Sequence, residues 1–223
     1  PLAQIAELTT VMNAPFVNSF GATETGLPPA TSHLIAVGEE PTDLAKRLSS
    51  LCEIRLVDKD DNDVLPGEIG EIAVRGPTLF SGYWGAPDVN AKDFRNGWFH
   101  MGDLGVQTLS GGLHFVGRSK YMIKSGGENI YPMEIERVLL ADNRISEAAV
   151  VGKYDSHWGE IVVAFVAKNA AGLTEQDIET LCRANLAGYK RPREVHFIAM
   201  EDFPRSDSGK IIREALERRL VSG

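Results

Sequence analysis

Two short stretches with apolar residues at every second position most constrain what this chain can fold into. Cys52-Glu53-Ile54-Arg55-Leu56-Val57 and Glu68-Ile69-Gly70-Glu71-Ile72-Ala73-Val74-Arg75 have the period of a strand with one buried face. Each ends in turn chemistry, Asp58 to Asn62 after the first and Gly76-Pro77 after the second. Leu113-His114-Phe115-Val116, entered through Gly111-Gly112, adds a third strand, so residues from about 51 to 118 read as an antiparallel sheet or small barrel. Upstream, Leu2, Ile5 and Leu8 recur at spacing three, as a helix face would, until Pro15 halts them. Phe16 to Phe20 reads as a short strand entering a Gly-rich turn. Pro41-Thr42-Asp43 before Leu44-Ala45-Lys46-Arg47-Leu48 has the composition of a helix start.

After Arg118 the pattern changes. Pro132 opens a helix with an apolar stripe at Ile135, Val138 and Leu139. Strands are expected at about 147–153 and 160–168. Thr174 with Asp177 three residues on has the spacing of a helix cap, ahead of Ile178, Leu181 and Cys182. A strand at about 194–200 and a charged helix at about 211–220 complete a β-α-β-β-α-β-α order. This part is expected to form a separate α+β domain.

Charge and composition remove several function classes. The 223 residues carry 23 Lys+Arg against 31 Asp+Glu, a net charge of −8, so no broad basic field exists for nucleic acid or an anionic membrane. The longest uninterrupted apolar run, Ile161 to Ala167, is far short of the roughly 18 residues a membrane helix needs. The two cysteines, Cys52 and Cys182, form no CxxC pair, which disfavours a disulfide framework or structural zinc and favours a reduced, cytoplasmic setting. A single bridge between them stays open at this level. The five histidines make no HxxxH or HExxH pair, and no GxSxG or GxxxxGK[ST] motif occurs. Pro-Leu-Ala-Gln-Ile at the start has neither an initiator Met nor a signal pattern and reads as the interior of something longer.

Four segments could carry chemistry, and each has a plain structural alternative. Phe20-Gly21-Ala22-Thr23-Glu24-Thr25-Gly26 is a small-residue turn holding a hydroxyl and a carboxylate, suited to a phosphate and magnesium, or simply a tight turn capped by Thr23. Gly97 to Gly105 places Asp103 among glycines, where it can accept from ribose hydroxyls or bond its own backbone in an Asx turn. Gly117 to Asn129 packs Arg118, Lys120 and Lys124 ahead of Gly126-Gly127, as an anion site or a solvated basic loop. Phe203 to Arg213 sets Lys210 at the end of a polar turn, either a flexible loop delivering one ammonium to an anionic centre or an ordinary loop before a helix. His157-Trp158-Gly159-Glu160 reads as a turn between strands with Trp158 in the core.

The order of these segments resembles the adenylate-forming, AMP-binding superfamily of acyl-CoA synthetases, peptide-synthetase adenylation domains and beetle luciferases. The resemblance rests on Phe20-Gly21-Ala22-Thr23-Glu24; Gly67 to Ile72 with Arg75-Gly76-Pro77 and Gly82-Tyr83-Trp84; Gly97 to Asp103; Gly117 to Glu136; and Pro204 to Arg213. It covers nearly the whole chain, and Ser125 to Glu136 is most similar to the acyl-CoA synthetase branch. The implied fold is α+β: the antiparallel, β-rich end of a large AMP-binding domain over 1–118, then a small mobile α+β domain over 119–223 with its hinge near Lys120.

The resemblance also implies roles. Phe20, beside Gly21, would stack on adenine, Thr23 would contact the α-phosphate, and Glu24 would ligate magnesium. Asp103 and Arg118 would hold the ribose. Lys210 would bridge the attacking carboxylate and the α-phosphate. Gly126 and Gly127 would line the pantetheine passage, with Lys124 facing the adenylate in that second arrangement. The implied cofactors are ATP/AMP, Mg2+ and coenzyme A, and the implied substrate is a small carboxylic acid, as in fatty acid metabolism. The chain departs from the family's usual text at Met101, where Thr is commoner, and at Tyr121, where an acid is commoner. Nothing corresponds to the family's upstream Ser/Thr/Gly-rich phosphate loop or to most of an acyl pocket. The chain is therefore expected to be the C-terminal portion of such an enzyme, inactive alone, whose partner is the missing N-terminal part. Loading of a carrier protein instead of CoA, or a nucleotide-binding module without turnover, are the alternatives.

Overall fold

The computed structural model describes residues 2–169 and 172–221; the expected domain ends at residue 1 and at residues 222–223 lie outside them. The chain divides into two compact units, residues 1–119 and residues 120–223.

The first unit opens with helix α1 (Leu2–Met12), as the spacing of Leu2, Ile5 and Leu8 predicts. Of its residues only Thr9 is buried, while Leu8, Val11 and Met12 are exposed. Strands β1 (Ser19–Phe20), β2 (Ala30–Thr31) and β3 (Arg47–Leu48) form a small antiparallel sheet. The helix expected over 44–48 does not form. Lys46 instead exchanges both backbone hydrogen bonds with Leu113, at 2.9 and 2.8 Å, and the Asp43 carboxylate accepts from Ala45 N in a local turn. A long-range backbone pairing overrides the local helix signal.

The main sheet of this unit is β4 (Glu53–Val57), β5 (Ile69–Arg75), β6 (Phe94–Arg95), β7 (Trp98–Gln107) and β8 (Leu113–Arg118), with helix α2 (Pro87–Asp93) ahead of β6. Its strand order is β4-β5-β7, and β6 and β8 pair with different stretches of β7. Residues 97–105, expected as a glycine-rich turn, are mostly strand. On β7, Met101, Gly102 and Asp103 lie opposite the single residue Ile72, because the register passes from Glu71↔Leu104 to Ala73↔His100. A second irregularity in the pairing with β8 follows at Leu104/Gly105. Such bulges re-aim side chains out of the regular pleat.

The second unit is organised around β12 (Gly159–Lys168), flanked by antiparallel β11 (Ile145–Asp155) on one edge. Its other edge pairs with β9 (Ile123–Ser125) at Gly159 and, in parallel, with β13 (Glu194–Phe197). Strand β10 (Glu128–Ile130) completes the sheet. Helices α3 (Pro132–Leu139) and α4 (Glu175–Asn185) supply Ile135, Leu139, Ile178 and Cys182 to one face, against Val150, Val162 and Ala164. Helix α5 (Arg213–Val221) supplies Leu216 to the other, against Val151, Val163 and Phe165. Both faces being covered explains why Ile161–Ala167 is apolar without alternation. Thr174 and Asp177 form the expected capping box of α4. Residues 123–130, expected as a basic loop, are a hairpin whose turn residues Gly126 (φ 59°) and Gly127 (φ 87°) both need positive φ, which glycine adopts without strain.

Both cysteines are free: Cys52 in the first unit, and Cys182 in the core of the second, where burial pushes its thiol up to about 11. Among the described residues no helix is long and apolar enough to cross a membrane.

Candidate functional site

In the first unit the turn at residues 21–26 is built from inside. Thr25, which is buried, donates its hydroxyl to Ala22 O at 2.8 Å and accepts from Ala22 N at 3.1 Å. The capping hydroxyl is thus Thr25 rather than Thr23, and Thr23 stays exposed. Gly21 lets the turn close tightly, since a Cβ there would lie 3.2 Å from Pro28 Cα and 3.3 Å from Thr25 Oγ1.

Glu24 is held at both ends. Its carbonyl accepts from Phe80 N at 2.9 Å, and its Oε1 accepts from the Tyr83 hydroxyl at 2.9 Å. Tyr83 is itself clamped by Asn90 of α2, which accepts from Tyr83 N at 2.7 Å and donates to Tyr83 O at 2.8 Å. Burial, reinforced by Glu24, pushes the Tyr83 phenol up to about 12, so it remains a donor at neutral pH. Arg118 is close enough to act on the same phenol electrostatically, in the opposing direction.

Arg118 links this corner to the bulge. Its Nε lies 2.9 Å from Asp103 Oδ1, across the β7–β8 register pair. The Asp103 side chain is 5% exposed and that of Arg118 48%. Three expected site residues, Glu24, Asp103 and Arg118, thus share one neighbourhood, and Tyr83 connects them. Sequence reasoning quoted Tyr83 in a motif but gave it no role; its signal was an aromatic hydroxyl between Gly82 and Trp84.

Phe20 is placed differently from a bare stacking platform. It is 8% exposed within a cluster that includes Ile72, Val74 and Leu113, with its ring centroid 5.7 Å from that of Phe115. Stacking a purine on it requires the ring to leave part of this contact.

Carboxylate and guanidinium together suit a vicinal diol, the one accepting from its hydroxyls and the other donating to its oxygens. As the pair stands, a diol must share or displace the Arg118 contact. For a metal, no group of three or more His, Cys, Asp or Glu residues converges among the described residues. Glu24, with one oxygen occupied by Tyr83, fits a cation that takes one protein carboxylate and draws its other ligands from phosphate and water.

The second unit carries the other expected residues on well-built turns. Lys120 Nζ is 2.9 Å from Glu214 Oε1, which also accepts from the Tyr121 hydroxyl at 3.2 Å. Tyr121 and Glu214 together hold the Lys120 ammonium above its ordinary range. Lys124 is exposed on β9, with its backbone N–H donating to Glu160 at 2.7 Å. Gly126 donates to Trp158 O at 2.8 Å, and a Cβ there would lie 2.9 Å from the indole. Trp158 is therefore not core: it is 38% exposed, between Gly126 and the Arg193 guanidinium 4.5 Å from its ring.

Lys210 sits on a hydrogen-bonded hairpin ahead of α5. Arg205 pairs with Ile211, Ser206 N donates to Lys210 O at 2.8 Å, and Arg205 donates to Gly209 O at 2.9 Å. The hairpin leads into Arg213, which makes a two-pronged ion pair with Glu136 at 2.8 and 2.9 Å. Glu136 also accepts from Val150 N at 2.7 Å. Burial raises the Glu136 carboxyl above its ordinary range, while Arg213 and Val150 N pull the other way. A cleft of about 500 Å³ between α4 and β13, lined by Glu179, Arg191, Arg193 and His196, contains none of the expected site residues.

Known proteins resemble both units of the chain. Residues 1–84 match the family model described as AMP-binding enzyme, and residues 134–210 match AMP-binding enzyme C-terminal domain. The chain is 44% identical over 164 residues to a long-chain-fatty-acid–CoA ligase of Salmonella typhimurium, covering 74% of this chain and 29% of that protein. It is 41% identical over 209 residues to an indoleacetate–CoA ligase of Aromatoleum aromaticum, covering 93% and 40%. The structure superposes on o-succinylbenzoate CoA synthetase from Bacillus subtilis in complex with its acyl-adenylate intermediate, with TM-score 0.83, 32% identity, and coverage of 97% of this chain and 44% of that one. The same synthetase with ATP and magnesium ion gives TM-score 0.82 and 31% identity, covering 95% and 43%. The chain spans less than half the length of these relatives.

Proposed function

Because the chain belongs to the AMP-binding enzyme family, we propose that it forms the C-terminal portion of an ATP-dependent acyl-CoA synthetase, which joins a carboxylate to AMP and then passes the acyl group to coenzyme A. The observation that carries this reading is the grouping of Glu24, Tyr83, Asp103 and Arg118 in one corner of the first unit.

In this reading Asp103 and Arg118 hold the ribose, with the carboxylate accepting from its hydroxyls. Thr23, exposed at the turn, donates to an α-phosphate oxygen. Phe20 and Gly21 form the adenine end, with Phe20 turning from Phe115 to meet the base. Glu24, oriented by Tyr83, offers one carboxylate oxygen to magnesium, which when bound offsets phosphate charge. Carboxylate attack on phosphate brings anion against anion, so a cation at the α-phosphate lowers the barrier. Lys210 supplies it, and its hairpin holds the ammonium on rigid backbone. Once acyl-AMP has formed, that ammonium obstructs the incoming thiol. Its withdrawal is a movement of residues 119–223 about Lys120. The same movement presents Lys124, Gly126 and Gly127 to the pantetheine arm.

The test is ATP–pyrophosphate exchange across a panel of carboxylic acids, followed by acyl transfer to free CoA. A full-length protein carrying this sequence is expected to exchange with at least one acid and to form its CoA thioester. The 223-residue chain by itself is expected to show background exchange, because no phosphate loop is present in it. Transfer to a carrier protein's phosphopantetheine arm but not to CoA would move the assignment to a carrier-loading enzyme. Exchange by the 223 residues alone would overturn the division of labour proposed here.

A further inference from the structure

We propose that Glu71 is a positioning residue for nucleotide binding: its carboxylate, through the Gly102 N–H, sets the bulge that aims Asp103. This rests on the nucleotide reading of Asp103 given above. Glu71 lies on β5 directly before the register break, opposite Leu104. Three β7 residues crowd opposite Ile72, so the bulge cannot keep regular ladder hydrogen bonds. Glu71 supplies the missing acceptor, with Oε1 taking the Gly102 N–H at 3.2 Å. Gly102, at φ +69°, turns the strand so that Asp103 meets Arg118.

Glu71 is in turn fixed from behind. Its Oε2 lies 2.9 Å from Arg95 and 3.2 Å from His100 Nδ1, and the His100 side chain is 3% exposed. Asp61 also meets Arg95, at 3.2 Å, and accepts from Asn96 at 2.6 Å. Two carboxylates thus share one guanidinium beside a buried imidazole. One Glu71 oxygen serves this network and the other serves the bulge, so the two roles separate chemically.

Two conservative variants of the full-length enzyme divide them. Glu71→Gln can keep an oxygen at the same reach for Gly102 N–H, with its NH2 donating to a neutral His100 Nδ1 and Arg95 left to Asp61, but removes the charge. Glu71→Asp keeps the charge but is about 1.5 Å shorter and withdraws the acceptor from the bulge. KM for ATP, KM for CoA and kcat are measured for both, with thermal unfolding alongside. Glu71→Asp is expected to raise the ATP KM tenfold or more, Glu71→Gln threefold or less, and neither to move the CoA KM. The reverse order, an unchanged ATP KM in Glu71→Asp, or parallel losses for ATP and CoA would overturn the positioning role while leaving the synthetase reading in place. Absence of any ATP–pyrophosphate exchange in the unmodified enzyme would instead remove the reading on which it rests.

Discussion

Replacing Lys210 by Ala in the full-length enzyme is expected to lower the adenylation half-reaction by about 10²–10³-fold, the usual loss when one preorganised charge-stabilising group is removed. The second half-reaction, thioester formation from supplied acyl-AMP and CoA, is expected to keep its rate to within about threefold, because in the proposed cycle Lys210 leaves the reaction centre before the thiol arrives. The substitution is expected to leave the local fold in place. Lys210 is exposed, and the hairpin bearing it is held by backbone bonds at Ser206, Gly209 and Ile212 that an Ala side chain leaves intact. A fall in both half-reactions together would mean that the residue acts throughout the cycle, and the withdrawal of Lys210 would have to be abandoned. The two rates are read from pyrophosphate exchange and from CoA consumption with synthetic acyl-AMP.

Arg213→Ala is expected to destabilise the second unit by about 3–5 kcal/mol, as breaking a buried ion pair on one side generally does. Its side chain and that of Glu136 are 16% and 12% exposed, and both carboxylate oxygens of Glu136 accept from it. The variant leaves a buried carboxylate with Val150 N as its remaining hydrogen-bond donor. Glu136 already titrates above its ordinary range because of burial, with Arg213 the chief opposing influence. Removing Arg213 therefore raises it further. A carboxyl with a raised folded-state pKa penalises folding when ionised, and that penalty is absent below its unfolded value and grows as pH rises through the folded one. The destabilisation is thus expected to be larger at pH 8 than at pH 5. Glu136→Gln, which keeps an acceptor for Val150 N but leaves Arg213 unneutralised, is expected to be destabilising too, with little difference between the two pH values because no carboxylate remains at that position. Urea unfolding at the two pH values distinguishes these outcomes; equal losses at both in Arg213→Ala would show that Glu136 is not the group left exposed to the penalty.

Much of the fold is legible where one physical signal dominates. The alternation at 53–57 and 69–75 survives as strands β4 and β5, and the Thr174–Asp177 spacing survives as a capping box, because nothing nonlocal competes with them. Residues 44–48 fail for the opposite reason: their helical composition is local, whereas the Lys46–Leu113 pairing is not. Strand β7 is hidden by its own bulges. Gly102 and Gly105 interrupt the alternation because the strand bulges there, and a glycine-rich stretch holding an acid is then easily taken for a turn. The Gly126-Gly127 hairpin carried a readable signal, two glycines between Ile123-Lys124-Ser125 and Glu128-Asn129-Ile130, which attention to its cations obscured.

The site was legible residue by residue but not in its supports. Glu24, Asp103 and Arg118 were marked by their residue types and surroundings, yet Tyr83 and Glu71 reach them only through contacts 59 and 31 residues away in sequence. Thr23, read as the capping hydroxyl, and Trp158, read as core, were assigned by composition to the wrong environments. A hydroxyl two positions from another offers no clue to which one turns inward, and an indole beside a glycine turn does not announce that its face lies against that turn. Of the residues whose spacing marks α1, Leu8 is exposed, as are its neighbours Val11 and Met12.

The most direct measurement is a crystal structure of the full-length enzyme bound to a non-hydrolysable acyl-adenylate analogue. The proposed function predicts the ribose hydroxyls within hydrogen-bond distance of the Asp103 carboxylate and Arg118, with Thr23 facing the phosphate position. An adenylate bound elsewhere, with the Asp103–Arg118 pair closed as it is here and Glu24 facing no phosphate, would contradict it.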